Sequence, residues 1–509
     1  MDFKQNKIRR IKHAEFSTTT PDYNKKLNVK HMSVSISLIV SLAIIIFLSI
    51  GIVKTIKNID FSAFLSLAGS ELKVDGYGHT NFLILGIGGG AHEGADLTDT
   101  IIIASLDAEN KTVTMLSVPR DLYVKDSILF DSRINEVYFR AKEYLKSSTK
   151  GAEYMKDKVE ELAGIPIHYW VKIDFKGFKD LIDALGGIDV YVVEDINDQL
   201  YPKDGTFLYE PFVIAKGEHH LDGEVALKYA RSRKTTSDFD RARRQQQIIY
   251  AIKQKALAAN ILMNKGKIED ILDVLKANIE TNITVKEILT LGSLAANLTE
   301  DKILHRLIHD DPALCGGLLY TPDKSLYNNM FVLIPAGGIE YLYKYTDLNF
   351  NYPLIAKENP KIQLLNGTPR EGAAAETKQV LRRYCFEIVK FGNALDKNIA
   401  KTTYYYRQKT DAEGNPIDSR QKALDFLKKI IPGDESIEIP IEYADPTADI
   451  TIVLGTDYSN SKNYIEDPFY GLPLPSQNIE TPSTDSSLTE TAPIETQIDS
   501  AQTIPQPQN

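Results

Sequence analysis

Hydrophobic and polar positions follow different rules in different parts of the chain. Residues 34–53, VSISLIVSLAIIIFLSIGIV, are apolar on every face and carry no charge. That is about the twenty residues a helix needs to cross a ~30 Å hydrocarbon core. Lys4, Lys7, Arg9, Arg10, Lys12, Lys25, Lys26 and Lys30 precede the run, whereas only Lys54 and Lys57 follow it closely. The asymmetry predicts a single-pass helix at 34–53, a cytoplasmic basic tail at 1–33, and everything beyond residue 54 outside the cell. A cleaved signal peptide is the competing reading. Against it, the run exceeds a usual h-region, and the nearest small-residue site, Ser66-Leu67-Ala68, lies well past its end.

After a stalk at 54–77, expected to be helical, the pattern shortens to strands. Asn81–Leu85 ends in the glycine turn 86–90. Thr100–Leu106 is a continuous apolar run, suited to a strand covered on both faces, and Thr112–Val118 reads as a third strand. Between 174 and 185, Phe175, Phe178, Leu181, Ile182 and Leu185 share one helical face, and Gly186-Gly187 then stops the helix before a strand at 188–193. Strands alternating with amphipathic helices predict an α/β sheet covered by helices. Residues 261–345 read as mostly helical and as the remainder of a domain spanning 78–345. A smaller α/β module follows at 359–458, with strands near 402–407 and 449–455 and a helix at 419–431. From 468 to 509 Pro, Ser, Thr and Gln dominate, a composition that cannot bury enough apolar surface to fold.

Composition narrows the options. A chain of 509 residues has room for two or three domains, and 43% hydrophobic with 25% charged residues is neither disordered nor fibrous overall. With a net charge of −10 no general affinity for nucleic acid is expected, so any phosphate binding must come from a local cluster. Cys315 and Cys385 are too few for a disulfide framework, which leaves a single bridge as an open question. Neither has the spacing of a zinc site. His219-His220, in a polar stretch before Leu221-Asp222-Gly223, reads as a solvated turn.

Candidate chemistry lies in three segments: Leu97-Thr98-Asp99-Thr100, Ser117-Val118-Pro119-Arg120-Asp121, and 227–247, LKYARSRKTTSDFDRARRQQQ. In an extended strand Arg231 and Arg233 would share a face. On a helix capped by Ser237 or Asp238, Arg241, Arg244 and Gln245 lie at i, i+3 and i+4 near its positive end. Guanidiniums gathered where free N–H groups also point favour a multiply charged anion, because the arginine fork binds two phosphate oxygens at once. Blander readings compete: a ligand-free basic helix, Asp238 and Asp240 as ordinary ion-pair partners, and Asp99 as a turn residue. The glycine run lacks dinucleotide-loop spacing.

These segments, together with Arg133-Ile134-Asn135, resemble the LytR–CpsA–Psr family in order and spacing over roughly 81–257. The resemblance implies a three-layer α-β-α catalytic domain around a mixed sheet, a long apolar pocket for a polyprenyl chain, and a pyrophosphate held by arginines and Mg²⁺. It further implies a phosphotransferase that moves a glycopolymer from a polyprenyl-pyrophosphate carrier to peptidoglycan. By the same resemblance Asp99 is the metal ligand, and Arg120, Arg231, Arg233, Arg241, Arg244 and Gln245 bind pyrophosphate. Arg120, Asp238 and Arg241 are its catalytic residues. Where many members carry an aspartate this chain has Gly88, and it has Leu97 in place of an arginine. Asp96, Glu93 and Asp121 are the candidates to replace the missing carboxylate. Residues 359–458 look like the family's LytR-type C-terminal domain. Alternatives of another class are a polyprenyl-pyrophosphate hydrolase and a non-enzymatic lipid-binding envelope protein.

Overall fold

The computed structural model describes residues 71–90, 94–203, 208–232, 238–258, 302–406 and 420–459, with shorter pieces between 279 and 298. The expected membrane helix at 34–53, the basic tail and the tail at 468–509 lie outside these residues, as does most of the stalk. The described end of that stalk, 71–78, is coil and turn rather than helix. Among the described residues no helix is long and apolar enough to cross a membrane.

Strands β1 (His79–Ile87), β2 (Thr98–Asp107) and β3 (Thr112–Ser117) form an antiparallel meander. Strand β4 (Tyr169–Asp174) runs parallel to β1 on its other side. Short strands β5 (Ile279–Thr281) and β6 (Ile303–Leu307) close the edges, antiparallel to β4 and parallel to β3. The result is a mixed six-stranded sheet in the order β5-β4-β1-β2-β3-β6.

Side chains alternate across each strand, so successive residues feed opposite cores. Leu83, Leu85, Ile101, Ile103 and Leu116 pack with Val137 and Tyr138 of α1 (Ile134–Leu145) and Met155 and Val159 of α2 (Ser148–Ala163). Phe82, Ile102, Met115 and Val171 face the other way. They meet Leu181 and Ile182 of α3 (Phe175–Ala184), Tyr229 of α4 (Gly223–Arg231) and Ile248 and Ile252 of α5 (Asp238–Ala258). Helices therefore cover both faces of the sheet.

Local chemistry sets the boundaries. The Asp174 carboxylate caps α3 by accepting from the Gly177 N–H, and the Gly186-Gly187 stop adopts φ of 78° and 82°. Asp222 caps α4 in the same way through Val225 N–H. Gly223 presses on the backbone of α3, where a Cβ would sit 2.3 Å from the Lys179 carbonyl oxygen. This start corrects the extended reading at Arg231, which is the last residue of a helix, while Arg233 lies outside the described residues. The described part of 261–345 also departs from the helical expectation, since 302–338 is mainly short strands and turns, β6 among them. His219 and His220 are in a strand, Gly217–Leu221, paired with Ile188–Val192 rather than in a turn.

A second mixed sheet joins β7 (Lys361–Asn366), β8 (Glu387–Asn393), β9 (Thr403–Tyr406), β10 (Asp434–Ser436) and β11 (Ile450–Leu454) in the order β8-β7-β11-β9-β10. Its core is continuous with the first through Leu342 and Tyr345 of α6 (Ile339–Thr346), Phe350, Tyr384 and Phe426. Cys315 and Cys385 are bonded to each other across this junction, with Cα atoms 4.6 Å apart. Alongside, Gly316 N–H donates to the Arg383 carbonyl and Arg383 Nε to the Pro312 carbonyl, both at 2.9 Å.

Candidate anion-binding edge

The strand registers bring the chemistry to one edge of the first sheet. Ile87 lies opposite Thr98 on one side and Asp174 on the other, and Leu307 lies opposite Ser117. The C-terminal ends of β1, β3, β4 and β6 therefore share an edge with the start of β2. Asp99 is the extra residue of a β-bulge there, because Gly86 pairs with Thr100 and Ile87 with Thr98. A bulge re-aims the side chain it carries. Close packing at Gly86, where a Cβ would come within 2.9 Å of Thr100 Cβ, leaves no room for a side chain.

Arg120 leaves β3 just past Pro119, and its Nη1 reaches Asp99 Oδ1 at 2.7 Å. Its Nε lies 3.4 Å from Asp121, whose other oxygen is 3.6 Å from Arg133. Arg231 comes to the same edge from the end of α4. Its Nη1 donates to the Tyr201 hydroxyl at 3.0 Å, and its guanidinium carbon lies 4.2 Å over the ring of Phe175, which directly follows β4. Asp99 and Arg120 are thus in direct contact at this edge, and Arg231 lies on the same edge beside the end of β4.

Arg241 and Arg244 lie one turn apart on α5, and both are buried. Arg244 donates from Nε to the Tyr229 carbonyl at 2.9 Å and from Nη2 to the carbonyl of Ser232, so it satisfies the carbonyl end of α4 beside Arg231. Burial pulls its pKa below the ordinary guanidinium value, yet arginine keeps its charge in proteins. Asp238 opens α5, Gln245 is half-buried on it, and Arg233 lies outside the described residues. Asp240 is an ion-pair partner of Arg243 at 2.7 Å.

A cleft of about 210 Å³ opens beside α5, walled by Val193, Ile196 and Tyr250 with Glu194, Arg243 and Arg244 on its polar side. It is smaller than the roughly 300–1,000 Å³ of common small-molecule pockets. Sequence reading missed Tyr201 and Phe175, which position Arg231, and Gln246. The Gln246 amide donates to Ser117 Oγ at 2.9 Å and to the Arg306 carbonyl at 3.1 Å, which ties α5 to β3 and β6. Only the Gln246 position carried a signal, as a polar residue adjoining the arginine stripe.

Of the proposed replacements for the missing carboxylate, Asp96 is bound to Lys142 at 2.6 Å, Asp121 faces two arginines, and Glu93 lies outside the described residues. Among the described residues there is no group of three or more His, Cys, Asp or Glu able to hold a metal. Magnesium is commonly held by one or two carboxylates together with substrate phosphates and water. Asp99 fits that restricted role.

The fold and this edge define a mixed α/β protein that presents arginines around a strand-end carboxylate. Residues 57–331 match the LytR_cpsA_psr family model and residues 359–458 that of the LytR cell envelope-related transcriptional attenuator. More than half of the chain is covered by the first match, and the chain belongs to the LytR–CpsA–Psr family, with a LytR-type C-terminal domain. It is 36% identical over 235 residues to the polyisoprenyl-teichoic acid–peptidoglycan teichoic acid transferase TagV of Bacillus subtilis, covering 45% of this chain and 54% of TagV. To the transferase TagU of Bacillus licheniformis it is 30% identical over 255 residues, 50% of this chain and 76% of TagU. The chain thus spans about half the length of TagV. The crystal structure of B. subtilis TagV aligns at 32% identity and a TM-score of 0.41 over 54% of this chain and 98% of that one.

Proposed function

We propose that the protein is a membrane-tethered phosphotransferase that moves a glycopolymer from a polyprenyl-pyrophosphate carrier onto a peptidoglycan hydroxyl. The observation that carries this reading is the contact of Arg120 with Asp99 at one sheet edge that Arg231 also joins beside the end of β4. Phosphoryl transfer asks a protein chiefly to position the reactants and stabilise charge on oxygen, and a diphosphate ester matches a cluster of guanidiniums. Arg120 and Arg231 bind the diphosphate, with Arg233 and Gln245 as further ligands. Arg241 and Arg244, buried on α5, hold the positive wall behind them. Asp99 would hold Mg²⁺ together with the donor's phosphates, where the ion supplies charge neutralisation.

In the reaction the acceptor hydroxyl attacks the glycan-side phosphorus. A new P–O bond forms, the bond to the bridging oxygen breaks, and polyprenyl phosphate leaves with its electron pair. Asp238 takes the hydroxyl proton. The run at 34–53 tethers the domain outside the cell, near its lipid donor, which raises the effective donor concentration.

The test is to incubate the full-length protein with a polyprenyl-pyrophosphate sugar, Mg²⁺ and peptidoglycan. Sugar phosphate attached to peptidoglycan is the expected result. Release of free sugar phosphate would instead mark a hydrolase, and tight binding without turnover a lipid-binding protein; either outcome rejects the transfer reading.

A further inference from the structure

Two hairpins flank the anion-binding edge, and both turn large apolar side chains outward. The first follows Arg120: residues 123–124 pair with 132–133, and the loop between them carries Ile128, 55% exposed, and Phe130, 78% exposed. This loop is held rigidly in place. The buried Asp126 carboxylate accepts from the N–H groups of Ile128 and Leu129 and from the Tyr154 hydroxyl, and Arg140 donates to the Leu129 carbonyl. Phe130 sits at φ 65°, a left-handed conformation that bulky residues rarely adopt. A framework that fixes two large hydrophobes in water, one of them in an unfavourable backbone conformation, serves no core.

The second hairpin, Ile196–Pro202 paired with Tyr209–Ile214, carries Tyr201, which receives the Arg231 hydrogen bond. Alternation sends Phe212 and Ile214 inward, and Tyr209 and Val213 outward with 63% and 65% exposure. Exposed lysines adjoin both apolar tips, Lys125 on the first and Lys203 on the second. Aromatic and aliphatic side chains beside lysine are the composition of a membrane-interface contact, in which the stem lies in the apolar layer and the charge meets the headgroups.

We infer that these two hairpins dock on the surface of the bilayer, turning the anion-binding edge toward the lipid leaflet. The inference rests on the membrane-tethered reading given above. The apolar run ends at Val53 and the described structure begins at Glu71. The 17 residues between them span at most about 60 Å when extended, whereas the nine residues of β1 cover about 30 Å. The tether enters at the edge opposite the arginines, and its greatest reach exceeds the length of β1, so the arginine edge can face the membrane. The hairpins select the orientation.

The test uses the full chain reconstituted in phosphatidylcholine–phosphatidylglycerol vesicles with or without brominated acyl chains. The chain's single tryptophan, Trp170, is buried and supplies a constant background. Separate Phe130→Trp and Tyr209→Trp variants report on the two hairpins, so misfolding of one leaves the other informative. Leu395→Trp, at a site 83% exposed on the second module, is the control. The expected result is at least twofold quenching of the added tryptophan at 130 and 209 by the brominated lipid, with none at 395. Flotation with the vesicles but no quenching at either hairpin overturns the docking and leaves the tether standing, as does equal quenching at 395. Failure to float overturns the tether, and the docking falls with it.

Discussion

The two sheets end their strands differently. At the end of β7 the polar groups close on one another: Asn366 Oδ1 accepts from the Thr368 N–H and hydroxyl at 3.0 and 2.8 Å, and its amide donates to the Arg370 carbonyl at 2.8 Å. This is an Asx turn, and both ends of the amide are used within five residues. At the matching edge of the first sheet the polar groups instead reach across elements, Arg120 to Asp99 and Arg231 to Tyr201 and Phe175. A guanidinium carries five N–H donors in a planar fork, so one side chain can hold partners on several elements at once. A strand end that consumes its own polar groups builds a turn, whereas one that borrows partners from distant elements can exchange them for a ligand.

The contrast breaks most readily by substitution. Arg120→Ala is expected to lower glycopolymer transfer at least 100-fold with little change in the thermal transition. Asn366→Ala should lose about 1–2 kcal/mol of stability through its unmade hydrogen bonds and leave transfer within twofold. Transfer assays and urea melts on the pair check both, and equal losses of activity would erase the distinction.

The disulfide bears on the same comparison. Cys315 and Cys385, 70 residues apart, join the two sheets. Replacing both by serine should reduce stability by about 2–4 kcal/mol, read in denaturant, while transfer at a permissive temperature stays within threefold. A collapse of activity at that temperature would show that the anion-binding edge depends on the second module.

A smaller effect is expected at the opposite edge of the first sheet. Burial alone would raise the pKa of Asp107, but the hydrogen bonds from His79 and from the Asn110 backbone and side chain prevail and hold it at about 2 against an ordinary 3.8. A depressed carboxylate stabilises the fold above the unfolded pKa, and that contribution is lost as pH falls from about 4 toward 2. About 2 kcal/mol should disappear over that window, and Asp107→Asn should flatten it. Urea melts between pH 2 and 6 measure the difference.

The smallest effect is at Tyr201→Phe, which removes one hydrogen bond to Arg231 and keeps the ring. A three- to tenfold loss of donor affinity with unchanged stability is expected. No change would place the positioning of Arg231 on the Phe175 and Tyr201 rings rather than on the hydroxyl.

Local signals in the sequence were readable, and distant ones were not. The helix of α3 and its glycine stop follow from periodicity and backbone freedom, both of which act within a few residues. The extended reading of Arg231 rested on its spacing from Arg233, whereas the cap at Asp222 and the close packing of Gly223 on α3 start a helix that runs through Arg231. β6 was missed because it is an edge strand paired with β3, nearly two hundred residues earlier, and has no alternation of its own. Pairing of Cys315 with Cys385 depends on the junction between sheets, which neither spacing nor composition encodes. Within the candidate site, the residue types came from the arginine-rich segment, from Arg120 after Pro119 and from Asp99. The bulge that aims Asp99, the Phe175 ring under Arg231 and the burial of Arg244 against α4 arise only from packing.

In the proposed reaction, arginines at the ends of these strands bind the diphosphate of a prenyl carrier. Calorimetric titration of the full-length protein in detergent with a prenyl pyrophosphate, with and without Mg²⁺, tests it directly against Arg120→Ala and Asn366→Ala. Saturable binding that weakens 10- to 100-fold for Arg120→Ala and is unchanged for Asn366→Ala is predicted. Equal affinity in all three proteins would contradict it.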